Sequence, residues 1–331
     1  MDDIDLLVLG DCNPDLVLSG ADVRPRFGQA EQLVDEARLT IGGSGAIIAC
    51  AAARLGLRTA LAAVVGDDFF GHWLLDQLAG RGVDVGGCVV DPTRPTGLTV
   101  VLSEPGDRAI LTALGTIASL RVEDVDPDRC RAARHLHVSS YYLQTGLRPR
   151  LARLFREAHE QGRSTSIDPN WDPAEVWDGG LHALLPHTDC LLPNAEEAVR
   201  IAAAAAPAGP NDAPMTSGTD AGGVEEAAAA LAAAGPLVAV KLGASGAVAA
   251  APGGRGPVRA PVPPAAAAVV VDTTGAGDSF DAGFLFGHLA GWPLERALAL
   301  GCACGALSTR AAGGVVAQPT LEEALRTLGA G

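Results

Sequence analysis

What most limits the folds open to this chain is an alternation that runs through nearly all of its 331 residues. Short apolar runs at Ile4–Leu9 and at 59–65, 164–168, 189–192 and 237–242 read as strands, each followed by glycine or proline. Between them lie helix-forming stretches: one from Ser44 to a stop at Leu55-Gly56, one closing near Gly80, one over 147–162, and others opening at Asn194 and Gly275. Strands separated by helices cannot pair as hairpins. They pair in parallel, and a parallel sheet must be covered on both faces. The expected architecture is a three-layer α/β fold whose mainly parallel central sheet binds ligands at the carboxyl ends of its strands.

Two regions break the alternation. Residues 97–102 and 108–111 flank Glu104-Pro105-Gly106-Asp107, a hairpin pattern. Residues 15–19 and 37–41 supply two more strands for the same small sheet. The reading is a single domain, 1–331, with a β lid inserted at about 12–41 and 96–112. Residues 202–223 and 252–264 read as Pro/Gly/Ala-rich loops rather than domain boundaries.

A formal charge of −15 excludes nucleic acid and anionic membrane as partners, because either needs a basic surface. If such a chain handles phosphate, it must build a small local anion site. All but one of its 24 basic residues are arginine, the exception being Lys241. Cys12, Cys50, Cys88, Cys130, Cys190, Cys302 and Cys304 are scattered without a CxxC pair and read as small buried hydrophobes in a reducing compartment. An acidic N-terminus and the lack of a bilayer-length apolar run point to a cytoplasmic protein.

The anion site is found at 269–284. A β-branched run (Val269, Val270, Val271) reads as a strand end and leads through Asp272-Thr273-Thr274 to Gly275-Ala276-Gly277-Asp278 and a helix. Small residues there let a phosphate reach backbone N–H groups at the positive end of a helix, without lysine or arginine. A carboxylate in that first turn, Asp278, can take the proton of an attacking hydroxyl. Several decoys fail: Lys241 is followed by Leu242, so there is no Walker A loop, and no GxGxxG follows the first strand. His135-x-His137 lacks nearby carboxylate or thiolate partners and reads as structural.

The string DTTGAGDSFDAGF (272–284) closely resembles the C-terminal signature of the ribokinase/PfkB carbohydrate kinase family. IGGSGAIIACAAARLG (41–56) resembles its N-terminal signature. The GDCNPD (10–15), GDDFFG (66–71), DPN (168–170), NAEE (194–197) and LGASG (242–246) segments agree with the family in order and spacing. The resemblance implies a ribokinase-like fold and an ATP-dependent kinase acting on a sugar hydroxyl. Its catalytic residues would be Asp278 as base, with Gly275, Ala276 and Gly277 as anion hole. Sugar contacts would come from Asn13, Asp15, Gly42, Gly43, Ser44, Ile47, Arg108 and Tyr141, with Ile47 standing where the family usually has asparagine. Asn194, Lys241, Gly243, Ser245, Gly246 and Thr274 would serve the nucleotide. Glu197 would hold Mg²⁺ through water, and Asp272, with the backbone of 311–314, is a candidate K⁺ site. The lid is a candidate homodimer surface. A nucleoside kinase of the same fold and a non-catalytic sugar or nucleotide sensor stay open as alternatives. For Lys241 a strand-end amine reaching solvent is an equal alternative, for Tyr141 core packing is, and Arg108 reads either as a phosphate contact or as an exposed hairpin charge.

Overall fold

The computed structural model describes residues 4–104, 107–205, 221–254, 256–267 and 269–329. The turn at Pro105-Gly106 and most of the 202–223 loop lie outside them. Strand β1 (Ile4–Leu9) leads to β2 (Asn13–Ser19), β3 (Glu36–Gly42), α1 (Ser44–Leu55), β4 (Thr59–Ala62), β5 (Val64–Gly66), α2 (Phe69–Ala79) and β6 (Val89–Asp91). Next come β7 (Leu98–Glu104), β8 (Asp107–Ala113), α3 (Pro127–Ala132), β9 (Ala133–Val138), α4 (Arg148–Glu160) and β10 (Ser164–Ile167). After α5 (Leu181–Leu184), β11 (Cys190–Leu191), α6 (Ala195–Ala205) and α7 (Ala221–Ala232), the chain forms β12 (Leu237–Lys241), β13 (Ala247–Ala250) and β14 (Val258–Ala260). It ends in α8 (Ala276–Leu289), α9 (Leu294–Ser308) and α10 (Leu321–Leu328).

The main sheet has the order β14-β13-β12-β11-β10-β9-β1-β4. Its strands are parallel from β4 to β12, and β13 and β14 run antiparallel at one edge. Side chains alternate between two cores. Leu6 and Val8 face the layer containing α1, α8 and α9, while Leu7 and Leu9 face the layer containing α4 and α7. Both faces are buried, which is why these strands read as unbroken apolar runs. Strand order runs outward from β1 in both directions, so the carboxyl ends of β1 and β9 flank the crevice where α/β sheets bind ligands.

A second sheet, β3-β2-β7-β8, stands over that crevice. It combines antiparallel β2–β3 and β7–β8 pairs with a parallel β2–β7 pair. Asp68 ties it to the body. Its carboxylate accepts the Thr96 amide and hydroxyl, each at 2.7 Å, and caps α2 by accepting the Gly71 amide at 2.9 Å. The GDDFFG segment therefore roots β7 and does not line the cavity.

Two strand expectations are corrected. The run 59–65 is broken at Ala63: β4 stays in the main sheet, whereas β5 pairs with β6 in a small sheet of its own. Val269, Val270 and Val271 form no strand and are exposed. Here the chain crosses the end of α9, and Thr309 O accepts the Val271 and Asp272 amides at 2.8 and 3.1 Å. Those donors go to a helix terminus, and among the described residues no strand pairs with the segment.

Helices α8 and α9 pack at close range through small residues. A Cβ on Gly287 would lie 2.8 Å from Ala297 Cα, and one on Gly283 would lie 2.8 Å from Cys304 Sγ. Because the first obstacle is backbone, it cannot rotate away. Gly287→Val is expected to lower stability by about 1–3 kcal/mol through overpacking, measured as a lower urea midpoint. An unchanged midpoint would refute this account of the α8–α9 contact. No helix among the described residues is long and apolar enough to cross a membrane.

Candidate active site

A cavity of about 470 Å³ opens between the carboxyl ends of the main sheet and the second sheet. One end is built by β1, β2 and the start of α1. Gly43 at the N-terminus of α1 has no side chain with which to cap it. Asp11 does so from a distant loop, accepting Ser44 N at 3.2 Å and Gly45 N at 3.0 Å, while its carbonyl accepts Ala46 N at 3.1 Å. Asp15 sits against Gly42, where a Cβ would come within 1.9 Å of its Oδ1. The Asn13 side-chain amide bridges Asp15 Oδ1 and Thr99 Oγ1 at 3.2 and 3.1 Å. Burial, and then the nearby Asp11 charge, push Asp15 up to about 7; burial also raises Asp11.

The opposite wall is the start of α8. Gly275 has φ 72°, and a Cβ there would lie 2.8 Å from Gly314 Cα and 2.9 Å from Ile47 Cγ2. Only glycine suits both the conformation and the space. Ile47 is buried beneath this loop and also lines the cavity. The Ala276 amide closes a turn onto Thr273 O at 3.2 Å, whereas the Gly275 and Gly277 amides have no acceptor among the described residues. Of the three amides expected to form an anion hole, two are thus left without an acceptor among the described residues. Asp278 follows, buried and facing the cavity. Burial and then the Asp168 charge raise its carboxyl to about 8, with Lys241 pulling the other way.

Lys241 does not reach solvent. Its amine is 3.0 Å from Asp168 Oδ2 and 3.0 Å from Asp281 Oδ2, in a group whose side chains are 13%, 7% and 0% exposed. Burial opposes ionisation of Asp168, but the Lys241 ammonium and hydrogen bonds from Asp281 and Lys241 outweigh it and hold that carboxyl low. Burial drives Asp281 above the usual range against the pull of Lys241. The arrangement sets one amine between two buried carboxyl groups. It joins β12, the end of β10 and α8 at the centre of the site.

Asn194 and Glu197 close on each other as a helix start. Glu197 accepts Asn194 N at 2.8 Å and Nδ2 at 2.6 Å, and Asn194 Oδ1 accepts Glu197 N at 2.9 Å. Both line the cavity, and burial followed by Asp168 raises Glu197 to about 7. From the second sheet, Arg108 donates to Thr274 Oγ1 at 2.9 Å and lies 3.9 Å from Asp272 Oδ1. Gly243 also lines the cavity.

The chain resembles known proteins over most of its length. The model of the pfkB family carbohydrate kinases matches residues 3–321. The chain belongs to this family. It is 30% identical over 304 residues to an ATP-dependent ribose-1-phosphate kinase of Halopiger xanaduensis, covering 92% of this chain and 91% of that one. It is 33% identical over 305 residues to a fructokinase of Klebsiella pneumoniae, covering 87% and 91%. An Arabidopsis thaliana ribokinase solved with ribose and ATP superposes with a TM-score of 0.80 at 23% identity, covering 98% of both chains.

Several residues expected at the site of this pfkB kinase lie elsewhere. Tyr141 is buried in the core, stacked edge-on against Tyr142, and its hydroxyl donates to Gly179 O at 3.0 Å. Ser245 is exposed on the β12–β13 turn, and Gly246 closes that turn against Ala260. Neither lines the cavity. His135 and His137 are buried; Ser166 bridges them at 2.7 Å and Ser164 meets His135 at 2.7 Å. Asp11, Asp168 and Asn170 line the cavity and Asp281 meets Lys241, and none of the four was given a role from the sequence. Asn170 lines the cavity at φ 55°, beside Ser140 at φ 51°, and its Nδ2 reaches Ser44 and Ser140 Oγ at 3.2 Å. Two left-handed non-glycine residues in contact are a strained feature of the kind found at functional sites. The Asp168-Pro169-Asn170 string was its only trace in the sequence.

Proposed function

We propose that this pfkB-family carbohydrate kinase transfers the γ-phosphoryl group of ATP to a hydroxyl of a small sugar, with Asp278 as general base. One observation carries the reading. A buried carboxyl and the unpartnered amides of Gly275 and Gly277 share one wall of a cavity whose other end holds Asp11, Asn13 and Asp15. The sugar hydroxyl oxygen bonds to the γ-phosphorus, the bond from that phosphorus to the bridging oxygen breaks, and ADP leaves. The hydroxyl proton passes to Asp278. The Gly275 and Gly277 amides, at the positive end of α8, stabilise charge on the transferring group. Lys241, held by Asp168 and Asp281, keeps a fixed positive charge beside that helix end.

The donor set suits a divalent cation. Glu197 is a buried carboxyl raised to about 7 by burial and the Asp168 charge, a state that a cation relieves. Glu197 and Asn194 would hold Mg²⁺ through water, and Mg²⁺ would supply charge neutralisation of the phosphates. Asp272 differs. Its carboxylate accepts Thr274 N at 2.9 Å, Thr274 Oγ1 at 2.7 Å and Gly313 N at 2.8 Å, with Arg108 close by. These contacts hold it below the usual carboxylate range despite burial; Asp272 and the backbone of 311–314 would hold K⁺, and no step runs through it.

Acceptor-dependent formation of ADP from MgATP tests the reading. Only ionised Asp278 accepts a proton, and its carboxyl in the unliganded protein is raised to about 8. The value of kcat/KM is therefore expected to rise with pH to a plateau above about 8. ATP consumption that is indifferent to every sugar and nucleoside offered would overturn it. Preference for nucleosides would select the alternative kinase.

A further inference from the structure

The two left-handed residues, Ser140 and Asn170, sit where two carboxyl groups of the cavity meet hydroxyl partners. Asn170 is held from both sides. Its own N–H donates to Asp168 Oδ1 at 3.1 Å, and its Oδ1 accepts Trp171 N at 2.9 Å. Because Trp171 N can only donate, the Asn170 amide cannot be turned over, and its NH₂ must face the other way. There it donates to Ser44 Oγ and to Ser140 Oγ, each at 3.2 Å. A hydroxyl that accepts from an amide keeps its own proton for another partner. Ser44, in the first turn of α1, lines the cavity with Asp278, and its hydroxyl bonds to that carboxyl. Ser140 stands in the same relation to Asp11.

We infer that Asn170 and Ser44 are positioning residues for the general base: the amide fixes the Ser44 hydroxyl so that its proton points at the Asp278 carboxylate. This deepens the kinase reading above and rests on it. A hydrogen bond to the ionised form aims the carboxylate and favours the state that can take a proton. It works against burial and the charges of Asp168 and Asp11, and alongside the ammonium of Lys241. Asp15, Glu197 and Arg108 also line the cavity, and none of these groups is altered by the substitutions below. The strain of φ 55° and 51° is then the cost of setting one amide between two hydroxyls.

The test is the pH dependence of kcat/KM for the full chain with MgATP and the best acceptor, followed as ADP release. In Ser44→Ala the rising limb is expected about one pH unit higher than in the parent, the size of a hydrogen bond to a charged group. Below the limb that is a loss of about tenfold, and it narrows on the plateau. Asn170→Gly suits the left-handed backbone while removing the amide, and is expected to move the limb the same way. In the Ser44→Ala background it should add little, because it acts through that hydroxyl. Ser44→Thr keeps a hydroxyl and is expected to keep the parent limb. The position of the limb does not depend on how much of a sample is active. A limb unmoved in Ser44→Ala or in Asn170→Gly, or an equal loss at every pH, overturns the inference and leaves the kinase reading intact. So does a full further shift from Asn170→Gly in the Ser44→Ala background. A parent without acceptor-dependent turnover overturns both.

Discussion

Asp278→Asn is expected to lower kcat by about 10²- to 10⁴-fold while leaving the KM for ATP within a few-fold of the parent. The substitution is nearly isosteric, so packing around the first turn of α8 is preserved. It removes the one group in that turn that can accept a proton. The Gly275 and Gly277 amides, which no side chain supplies, remain in place to meet the phosphates. Steady-state kinetics with the best acceptor, together with an independent measurement of nucleotide binding, separate the two effects. Turnover within tenfold of the parent would remove Asp278 from the mechanism. Equal loss of nucleotide binding would mean that the α8 start had collapsed instead.

The second large effect is expected at Lys241. In Lys241→Met the Asp168 carboxylate loses its ammonium partner, and breaking a buried pair from one side costs about 3–5 kcal/mol. The loss should depend on pH, with a sign that follows from linkage. Without Lys241, burial raises the folded-state value of Asp168 above its unfolded value near 3.9. The folded variant then binds a proton that the unfolded chain releases, so its stability falls as pH rises above about 4. The deficit against the parent, read from urea midpoints, should be larger near pH 8 than near pH 5. A second readout is kinetic. Lys241 pulls the Asp278 carboxyl down, so the rising limb of kcat/KM should move to higher pH in the variant. A pH-independent deficit with an unmoved limb would show that Lys241 acts by packing alone.

The cysteines fit the same balance between packing and chemistry. All seven are free, and burial pushes the Cys50, Cys190, Cys302 and Cys304 thiols up, leaving them inert fillers of the core. Cys304 packs where α8 offers Gly283 in place of a larger side chain.

Much of this protein was legible from residue order alone. The alternation of apolar runs and alanine-rich segments determined a parallel α/β sheet, because periodicity and chain connectivity are local properties. The Gly275-Ala276-Gly277-Asp278 string likewise determined a helix start able to meet an anion, since its chemistry lies within four consecutive residues. The same holds for the pairing of Asn194 with Glu197, which one helical turn enforces. Tertiary structure decided the rest. Asp11 caps a helix that begins 33 residues later, and Asp281 meets Lys241 only because α8 lies across β12. Whether Lys241 reached solvent or a carboxylate depended on what covered the end of its strand. Tyr141 was equally ambiguous, because a tyrosine after a strand can face a cavity or the core. Val269, Val270 and Val271 carry strong strand propensity, yet among the described residues no strand pairs with them, and the Val271 amide goes to Thr309. Propensity and motif are set by neighbours in the chain. Charge pairing, strand partnership and the outlook of a side chain are set by neighbours in space, and those were not in the string.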